Sequence, residues 1–169
     1  MSKLIYLDNA ATTQVYPEVL QEMLPYFSEV YSNPSAIYSF ASESKKADEI
    51  YFTGGGSESD NWALKATADA YASKGKHIIT STIEHHAILH TCAYLEKKGF
   101  EITYVNVDEN GKVKLDELEA AIRPDTILIS IMTANNEIGT IQPVREIGRI
   151  AHEHGVLFHT DAVQAFGHI

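Results

Sequence analysis

From residue 50 onward, short apolar runs alternate with amphipathic stretches. The runs have the length and the β-branched content of strands, and they occupy residues 50–53, 77–80, 101–105, 126–131 and 156–159. Stretches with helical spacing separate them, at residues 58–73, 86–98, 115–122 and 144–153. Because strand and helix alternate steadily, the pattern predicts an α/β fold with a mostly parallel sheet and helices on both faces.

The first 49 residues do not follow this alternation. They contain a turn, a predicted helix at 17–23 and a loop rich in Ser, Asn and Pro at 32–39. At residues 44–49 an opening helix would have to become a strand within about two residues, with no Gly or Pro between them. Residues 1–49 are therefore treated as an N-terminal segment, separate from the α/β domain predicted for residues 50–169.

Charge and composition narrow the possible partners. The chain has 23 acidic and 13 basic residues among 169, which gives a net charge of −10 that repels phosphate backbones and anionic lipids. We therefore expect neither nucleic acid nor membrane as a partner. The lone cysteine, Cys92, allows no internal disulfide, and the N-terminus lacks an apolar run long enough for a signal peptide. These features favour a cytoplasmic location.

The stretch TGGGSESDN, residues 53–61, joins a predicted strand to a predicted helix. A glycine-rich turn at a helix N-terminus exposes backbone N–H groups and the positive end of the helix dipole, which together can hold a phosphate. Ser57 and Asp60 also match the S-x-x-D capping box, which predicts Ser57 as the N-cap. Since the pattern is neither a Walker loop nor G-x-G-x-x-G, a plain strand-to-helix turn is the alternative.

Histidines cluster at the next strand-to-helix turn, in IEHHAILH at residues 83–90. His86 and His90 have the spacing of metal ligands on one helix face, but the H-E-x-x-H glutamate and a third ligand are missing, so we expect no metal. His85, at the turn itself, is either a ligand-binding residue or an ordinary capping or core histidine. Cys92 falls on an apolar helix stripe, which predicts a buried thiol rather than a nucleophile.

Polar side chains follow several of the predicted strands. Ser57, His85, Asn136 in MTANNEIGTIQP and Asp161 in HTDAVQAFG all come where a strand gives way to a loop. In an open parallel sheet, ligands bind at the carboxyl ends of the strands, so one site could hold all four side chains. A phosphate cradle, a flat ring and a carboxylate suit pyridoxal phosphate, whose pyridine nitrogen stays protonated beside an aspartate.

The motifs YLDNAATT, FTGGGSESDN, EHHAILHTC, SIMTANNEIGTIQPV and FHTDAVQAFG resemble those of the class V aminotransferase family, most closely its cysteine desulfurases of the NifS and IscS type. They span nearly the whole chain in the family's order. The resemblance implies the large domain of a type I transferase dependent on pyridoxal 5'-phosphate. It also implies that Gly56 and Ser57 bind the cofactor phosphate, and that His85 stacks on the ring and helps to move substrate protons.

The same resemblance places Asn136 beside the ring and the substrate carboxylate, pairs Asp161 with the pyridine nitrogen, and has Gln164 bond the ring hydroxyl oxygen. The implied reaction converts L-cysteine to L-alanine and leaves a persulfide sulfur on the enzyme. That sulfur would pass to an acceptor or scaffold protein for iron–sulfur clusters or thiolation, and the enzyme would be a homodimer.

The chain also departs from the family's pattern. The Schiff-base lysine, the persulfide cysteine and the C-terminal small domain of the family have no counterpart in it, and the family has a further helix and loop where Ala47 meets Asp48 here. We therefore expect an incomplete chain, with a gap between residues 47 and 48 and only part of the cofactor-binding domain in 50–169. The alternatives are another class V enzyme, either a selenocysteine lyase or an aminotransferase, and a non-catalytic remnant that binds the cofactor or phosphate.

Overall fold

The computed structural model describes residues 17–24 and 51–166. The predicted loop at 32–39, the junction at 44–49 and the gap between Ala47 and Asp48 lie outside these residues. The chain forms two compact units, Met1–Phe52 and Thr53–Ile169. In the first unit, helix α1 spans Pro17–Met23, as its apolar spacing predicts. The domain boundary expected between residues 49 and 50 stays a prediction.

The second unit alternates helices and strands. Its elements are α2 (Gly56–Tyr71), β1 (His77–Ser81), α3 (His86–Lys97), β2 (Glu101–Val105), α4 (Leu115–Ala120), β3 (Thr126–Ser130), α5 (Val144–Glu153) and β4 (Leu157–His159). The strands form one sheet in the order β2-β1-β3-β4, and every neighbouring pair is parallel. The predicted α/β architecture is confirmed.

Apolar side chains cover both faces of the sheet. On one face Ile78 and Leu128 pack with α2 and α3, which contribute residues such as Leu64 and Ile88. The opposite face is covered by α4 and α5, packed around a second group of buried residues that includes Ile79, Ile129, Leu118 and Ile147. Burial on both faces explains why β1 and β3 are buried at every position. Within residues 17–24 and 51–166, no helix combines the length and the apolar character needed to cross a membrane.

One predicted strand is wrong. Residues 51–53 of the run 50–53 have no strand structure, and residue 50 lies outside the described range. Phe52 is 97% exposed, so this apolar run does not bury the face that its composition suggests. A strand depends on a hydrogen-bonded neighbour and on packing as well as on β-branched or aromatic content.

Candidate functional site

The carboxyl ends of the four parallel strands meet at one edge of the sheet, and the predicted site residues lie in the loops there. Gly56 and Ser57 begin α2, whose first turn reaches this edge, and His85 directly precedes α3. Asn136 lies in the loop after β3, and Asp161 and Gln164 follow β4. The predicted site residues therefore lie at the same edge of the sheet, where they can contribute to one site.

The start of α2 has the backbone of a glycine-rich anion cradle. Gly55 has φ 156° and ψ 172°, a conformation that is essentially restricted to glycine. Its carbonyl oxygen accepts the N–H groups of Glu58 (3.0 Å) and Ser59 (3.2 Å), which closes the first turn. The N–H groups of Gly56 and Ser57 lead the helix, where backbone donors and the helix dipole favour an anion.

The predicted capping box is wrong. The N-cap is Gly55 rather than Ser57, and α2 begins two residues before its predicted start. The Glu58 carboxylate accepts the N–H of Gly54, so an acid within the first turn supplies the backward bond that Asp60 would make in a capping box. Asp60 instead lies on the buried face of α2 and is 4% exposed.

Gly56 touches the turn that follows Asp161. A Cβ atom at Gly56 would lie 2.7 Å from Cγ2 of Val163, closer than any side chain could approach without a shift. Asp161 itself is buried, and its Oδ1 accepts the N–H of Val163 at 2.9 Å. Because glycine has no side chain, the start of α2 can lie directly against the Asp161 turn. Gln164 is half-buried in the same turn.

His85 and Asn136 line one cleft of about 290 Å³. His85 is the N-cap residue of α3, and its Nδ1 accepts the N–H of Ala87 at 3.2 Å, so the ring has a structural role whatever it binds. Asn136 is half-buried on the opposite loop, next to Asn135. The structure therefore brings these two residues together, as the sequence predicts, and the Gly56 and Asp161 turns form a second contact at the same edge.

A buried acid of α2 lies behind Asp161. Burial, together with the nearby Asp161 carboxylate, raises the pKa of Asp60 to about 7. His159 places Nε2 3.8 Å from Asp60 Oδ1, while its Nδ1 bonds the Ser130 hydroxyl at 2.9 Å. Since burial lowers the pKa of His159, this imidazole adds little positive charge at neutral pH.

A second buried acid, Glu84, lies between the cleft and the sheet. It is 5% exposed, and its pKa is raised to about 7, mainly by burial. The Asp161 and Asp60 carboxylates contribute to this increase, and hydrogen bonds from Ser81 and the Met132 N–H partly oppose it. Asp161 thus affects the pKa of both Asp60 and Glu84, and no lysine or arginine among the described residues pairs with these acids.

The sequence analysis named neither Asp60 nor Glu84 as a site residue. For Asp60 a signal exists, because it is four residues before Leu64 and eight before Ala68, both buried on the inner face of α2. Glu84 has no such signal, since it lies in a turn and its burial depends on the loop after β3. Only the three-dimensional fold shows that it faces the site.

The donor set fits pyridoxal phosphate at both ends. A group of buried carboxylates lacks positive charge, which the protonated pyridine nitrogen of the cofactor would supply to Asp161. The glycine turn beside it offers backbone N–H groups to a phosphate. The ring of His85 and the amide of Asn136 are available at the cleft between the β1 and β3 loops.

The other histidines and Cys92 do not extend this site. His86 and His90 are exposed, with ring centres 5.5 Å apart, and no group of three or more potential metal ligands occurs within residues 17–24 and 51–166. Cys92 is 0% exposed, and burial raises the pKa of its thiol to about 12. The prediction of a buried thiol is confirmed, and its lack of nucleophilic reactivity stays a prediction.

The model of the aminotransferase class V family matches residues 5–169. A cysteine desulfurase IscS of Methanosarcina thermophila is 59% identical over 99% of this chain and 46% of its own length. One from Clostridium botulinum is 54% identical over 100% of the chain and 47% of its own length. The chain thus spans about half the length of the curated relatives it matches. The second alignment runs over 185 positions for the 169 residues here, so that relative has residues within the aligned span that this chain lacks.

Solved structures agree with these matches. A NifS-like protein is similar with a TM-score of 0.77 and 44% identity, over 95% of this chain and 49% of that one. SspA in complex with cysteine has the same TM-score and 42% identity, over 95% of this chain and 51% of its own. An apo cysteine desulfurase from Thermococcus onnurineus has a TM-score of 0.76 and 31% identity, over 98% and 45% of the two chains. These neighbours support the same large-domain fold.

Proposed function

Because this chain belongs to the class V aminotransferase family, we propose that it forms part of a cysteine desulfurase that depends on pyridoxal phosphate. The observation that carries the proposal is the contact between the glycine turn at Gly56 and the turn after the buried Asp161. It puts an anion cradle next to a carboxylate with no matching cation, the two ends that this cofactor requires.

When bound, pyridoxal phosphate supplies an electron sink that withdraws electrons from the α-carbon of an amino acid. The backbone N–H groups of Gly56 and Ser57 bind its phosphate. Asp161, held by the Val163 N–H, keeps a proton on the ring nitrogen through its negative charge. Gln164, in the same turn, bonds the ring hydroxyl oxygen. These roles orient the ring before the substrate enters.

At the cleft, His85 stacks on the ring and moves protons between substrate atoms. Its position as a helix N-cap fixes the imidazole, because Nδ1 accepts a backbone N–H and the opposite nitrogen is the one left to exchange a proton. Asn136 lies across the cleft and binds the substrate carboxylate with its amide. Both residues come from loops held by buried contacts, which limits their movement.

The substrate is L-cysteine, and the products are L-alanine and a persulfide sulfur for an acceptor or scaffold protein in iron–sulfur cluster or thiolation pathways. The relatives named cysteine desulfurase and the neighbour solved with cysteine support this choice over a selenocysteine lyase or another aminotransferase. Cys92 is too buried to carry the sulfur, so the persulfide forms on a cysteine elsewhere in the enzyme. The active form is a cytoplasmic homodimer.

We place the catalytic lysine of the proposed enzyme outside these 169 residues. Lys65, the described lysine nearest along the chain to the cradle, has its Nζ 4.7 Å from the centre of the Tyr94 ring, on the outer surface of α2 and α3. The relative's extra residues within the aligned span support the proposed gap between Ala47 and Asp48. Residues 50–169 are then one part of the cofactor-binding domain.

The test uses the complete gene product that contains this sequence, supplied with pyridoxal phosphate and L-cysteine. We expect alanine and sulfide in equal amounts under a thiol reductant, and little turnover of other amino acids. The 169 residues alone should give neither sulfide nor one dominant pyridoxyl-lysine after borohydride reduction. Cofactor binding without cysteine turnover in the complete protein would contradict the proposed reaction.

A further inference from the structure

The loops that carry His85 and Asn136 are joined by one buried carboxylate. Glu84 Oε1 accepts the hydroxyl of Ser81 at 2.6 Å, and the Met132 N–H donates to both Oε1 and Oε2 at 3.1 Å. Ser81 ends β1, and Met132 follows the end of β3 by two residues. Glu84 thus spans the gap between two neighbouring strands exactly where their chains turn into the site loops.

Asn135 makes the reverse connection. Its Nδ2 donates to the Ile83 carbonyl oxygen at 2.8 Å, and its Oδ1 accepts the N–H groups of Glu137 and Ile138 at 2.9 Å each. The amide therefore ties the β3 loop back to the β1 loop and also shapes the turn that contains Asn136. Glu84 of the β1 loop bonds the β3 loop, and Asn135 of the β3 loop bonds the β1 loop, so the two loops are held together as a single unit.

A carboxylate is a costly group for such a connection. Glu84 is 5% exposed, and the charged groups that face it are the acids Asp60 and Asp161, with no cation among the described residues. Burying an uncompensated charge destabilises a fold, and such groups concentrate at functional sites. The cost is consistent with a geometric requirement, since a side chain of this length reaches both the Ser81 hydroxyl and the Met132 N–H.

We propose that Glu84 is a positioning residue that fixes the spacing of His85 and Asn136 across the cleft, through its bonds to Ser81 and the Met132 amide. The inference rests on the proposed function only in that these two residues contact the cofactor. The connection between the loops is independent of any ligand, so it can be tested separately.

Two substitutions separate length from charge. In Glu84→Gln the side-chain oxygen can accept the Met132 N–H and the amide nitrogen can donate to the Ser81 hydroxyl, so the connection is kept without the charge. In Glu84→Asp the charge is kept, but a side chain shorter by one bond, about 1.5 Å, reaches only one donor. Glu96→Asp, at an exposed position of α3, is the matched control for shortening a glutamate.

The experiment compares these variants in the complete gene product by two measurements. Amide hydrogen exchange without cofactor reports on the loops at 82–86 and 132–138. Titration with pyridoxal phosphate, followed by the circular dichroism of the bound ring, reports on affinity and ring orientation. We expect Glu84→Asp to raise exchange in both loops by at least about tenfold, to weaken binding and to change the dichroism, while Glu84→Gln and Glu96→Asp stay near the unmodified protein.

Each possible result of this experiment tests a specific part of the proposal for Glu84. Unchanged loop exchange in Glu84→Asp would overturn the connection, and loosened loops with unchanged affinity and dichroism would overturn its positioning role. A loss in Glu84→Gln equal to that in Glu84→Asp would show that the charge is required as well as the reach, which would overturn a role that depends on reach alone. If the unmodified protein binds no cofactor, the proposed function fails, but the exchange data still decide whether Glu84 joins the loops. Should Glu84→Asp not fold, Ser81→Ala removes one of the same bonds and is expected to loosen the 82–86 loop.

Discussion

The two edges of the sheet bury polar side chains in opposite ways. At the amino-terminal edge, His77 is 0% exposed, with Nδ1 2.7 Å from the Thr126 hydroxyl and Nε2 2.8 Å from the Thr103 hydroxyl. Burial lowers the pKa of His77, which keeps the ring neutral, and both nitrogens have partners. At the carboxyl edge, the buried polar groups include three acids, Asp60, Glu84 and Asp161, and the Asp161 carboxylate adds to the raised pKa of the other two.

The two edges of the sheet also differ in how their acidic side chains are paired with basic ones. At the amino-terminal edge Arg123 lies at the surface and pairs with Asp125 at 2.9 Å and also with Glu101. At the carboxyl edge, the basic group recorded near the acids is His159, whose pKa burial lowers. The acids Asp125 and Glu101 at the amino-terminal edge thus pair with an arginine, whereas the buried acids at the carboxyl edge have no such partner among the described residues. This difference supports the proposed site at the carboxyl edge independently of the sequence motifs.

The largest effect should follow from removing the charge that the ligand is expected to meet. Asp161→Asn in the complete gene product keeps the bond to Val163 possible but cannot hold a proton on the cofactor's ring nitrogen. We expect most of the cofactor to remain bound while cysteine turnover falls by about 100-fold or more, the scale of losing one electrostatic contact to the reacting group. Alanine formation measures this, and turnover within about twofold of the unmodified enzyme would refute the assignment.

Changing the amino-terminal edge should affect stability and leave the chemistry alone. His77→Ala leaves a cavity and removes the partner of the Thr103 hydroxyl, so we expect a loss of about 2–4 kcal/mol in the free energy of unfolding. The turnover number of the folded protein should change less than about twofold. Denaturant unfolding and alanine formation check the two parts, with the exposed His86→Ala as control. A large loss of turnover in folded His77→Ala would show that the amino-terminal edge affects the reaction as well as stability.

Sequence reasoning succeeded where the signal was local. The spacing in VREIGRIAHE predicts α5 at Val144–Glu153 and the β-branched run predicts β2 at Glu101–Val105, each with the bounds that the structure has. It failed at 51–53, because a strand needs a partner that composition does not reveal. The motifs predicted Gly56 and Asp161 as site residues, but they gave no signal for Glu84, whose hydrogen-bond partner Met132 is 48 residues away.

Asp60 allows the charge imbalance to be measured through pH. Its pKa is raised to about 7 in the folded chain against 3.8 for an ordinary aspartate, and the facing groups are Asp161 and His159. An acid with a raised folded pKa stabilises the fold fully below its unfolded pKa, and this contribution is lost as pH rises through 7. Asp60→Asn cannot ionise, so it should gain stability relative to the unmodified protein between pH 4 and pH 7.

The gain of Asp60→Asn should be about 1–3 kcal/mol larger at pH 8 than at pH 5, in cofactor-free protein, by denaturant unfolding. Asp69→Asn, at an exposed position of the same helix, should show no such difference. A gain that is equal at the two pH values would mean that Asp60 is already ionised at low pH. The buried charge of Asp60 would then destabilise the fold less than its burial indicates.

The smallest effect is expected at Cys92, which lies on α3 between the two edges. Its side chain is 0% exposed within the cluster that contains Ile88 and Leu95, and burial raises its thiol pKa to about 12, so little thiolate forms near neutral pH. A sulfur carrier must reach both the cofactor and a partner protein, which a thiol buried under α2 cannot do. Cys92→Ala should therefore leave sulfide release within about twofold of the unmodified enzyme, at a cost of about 1 kcal/mol in unfolding free energy from the small cavity. Sulfide assays and mass mapping of the persulfide check this prediction. Loss of the persulfide in Cys92→Ala alone would show that Cys92 carries the sulfur.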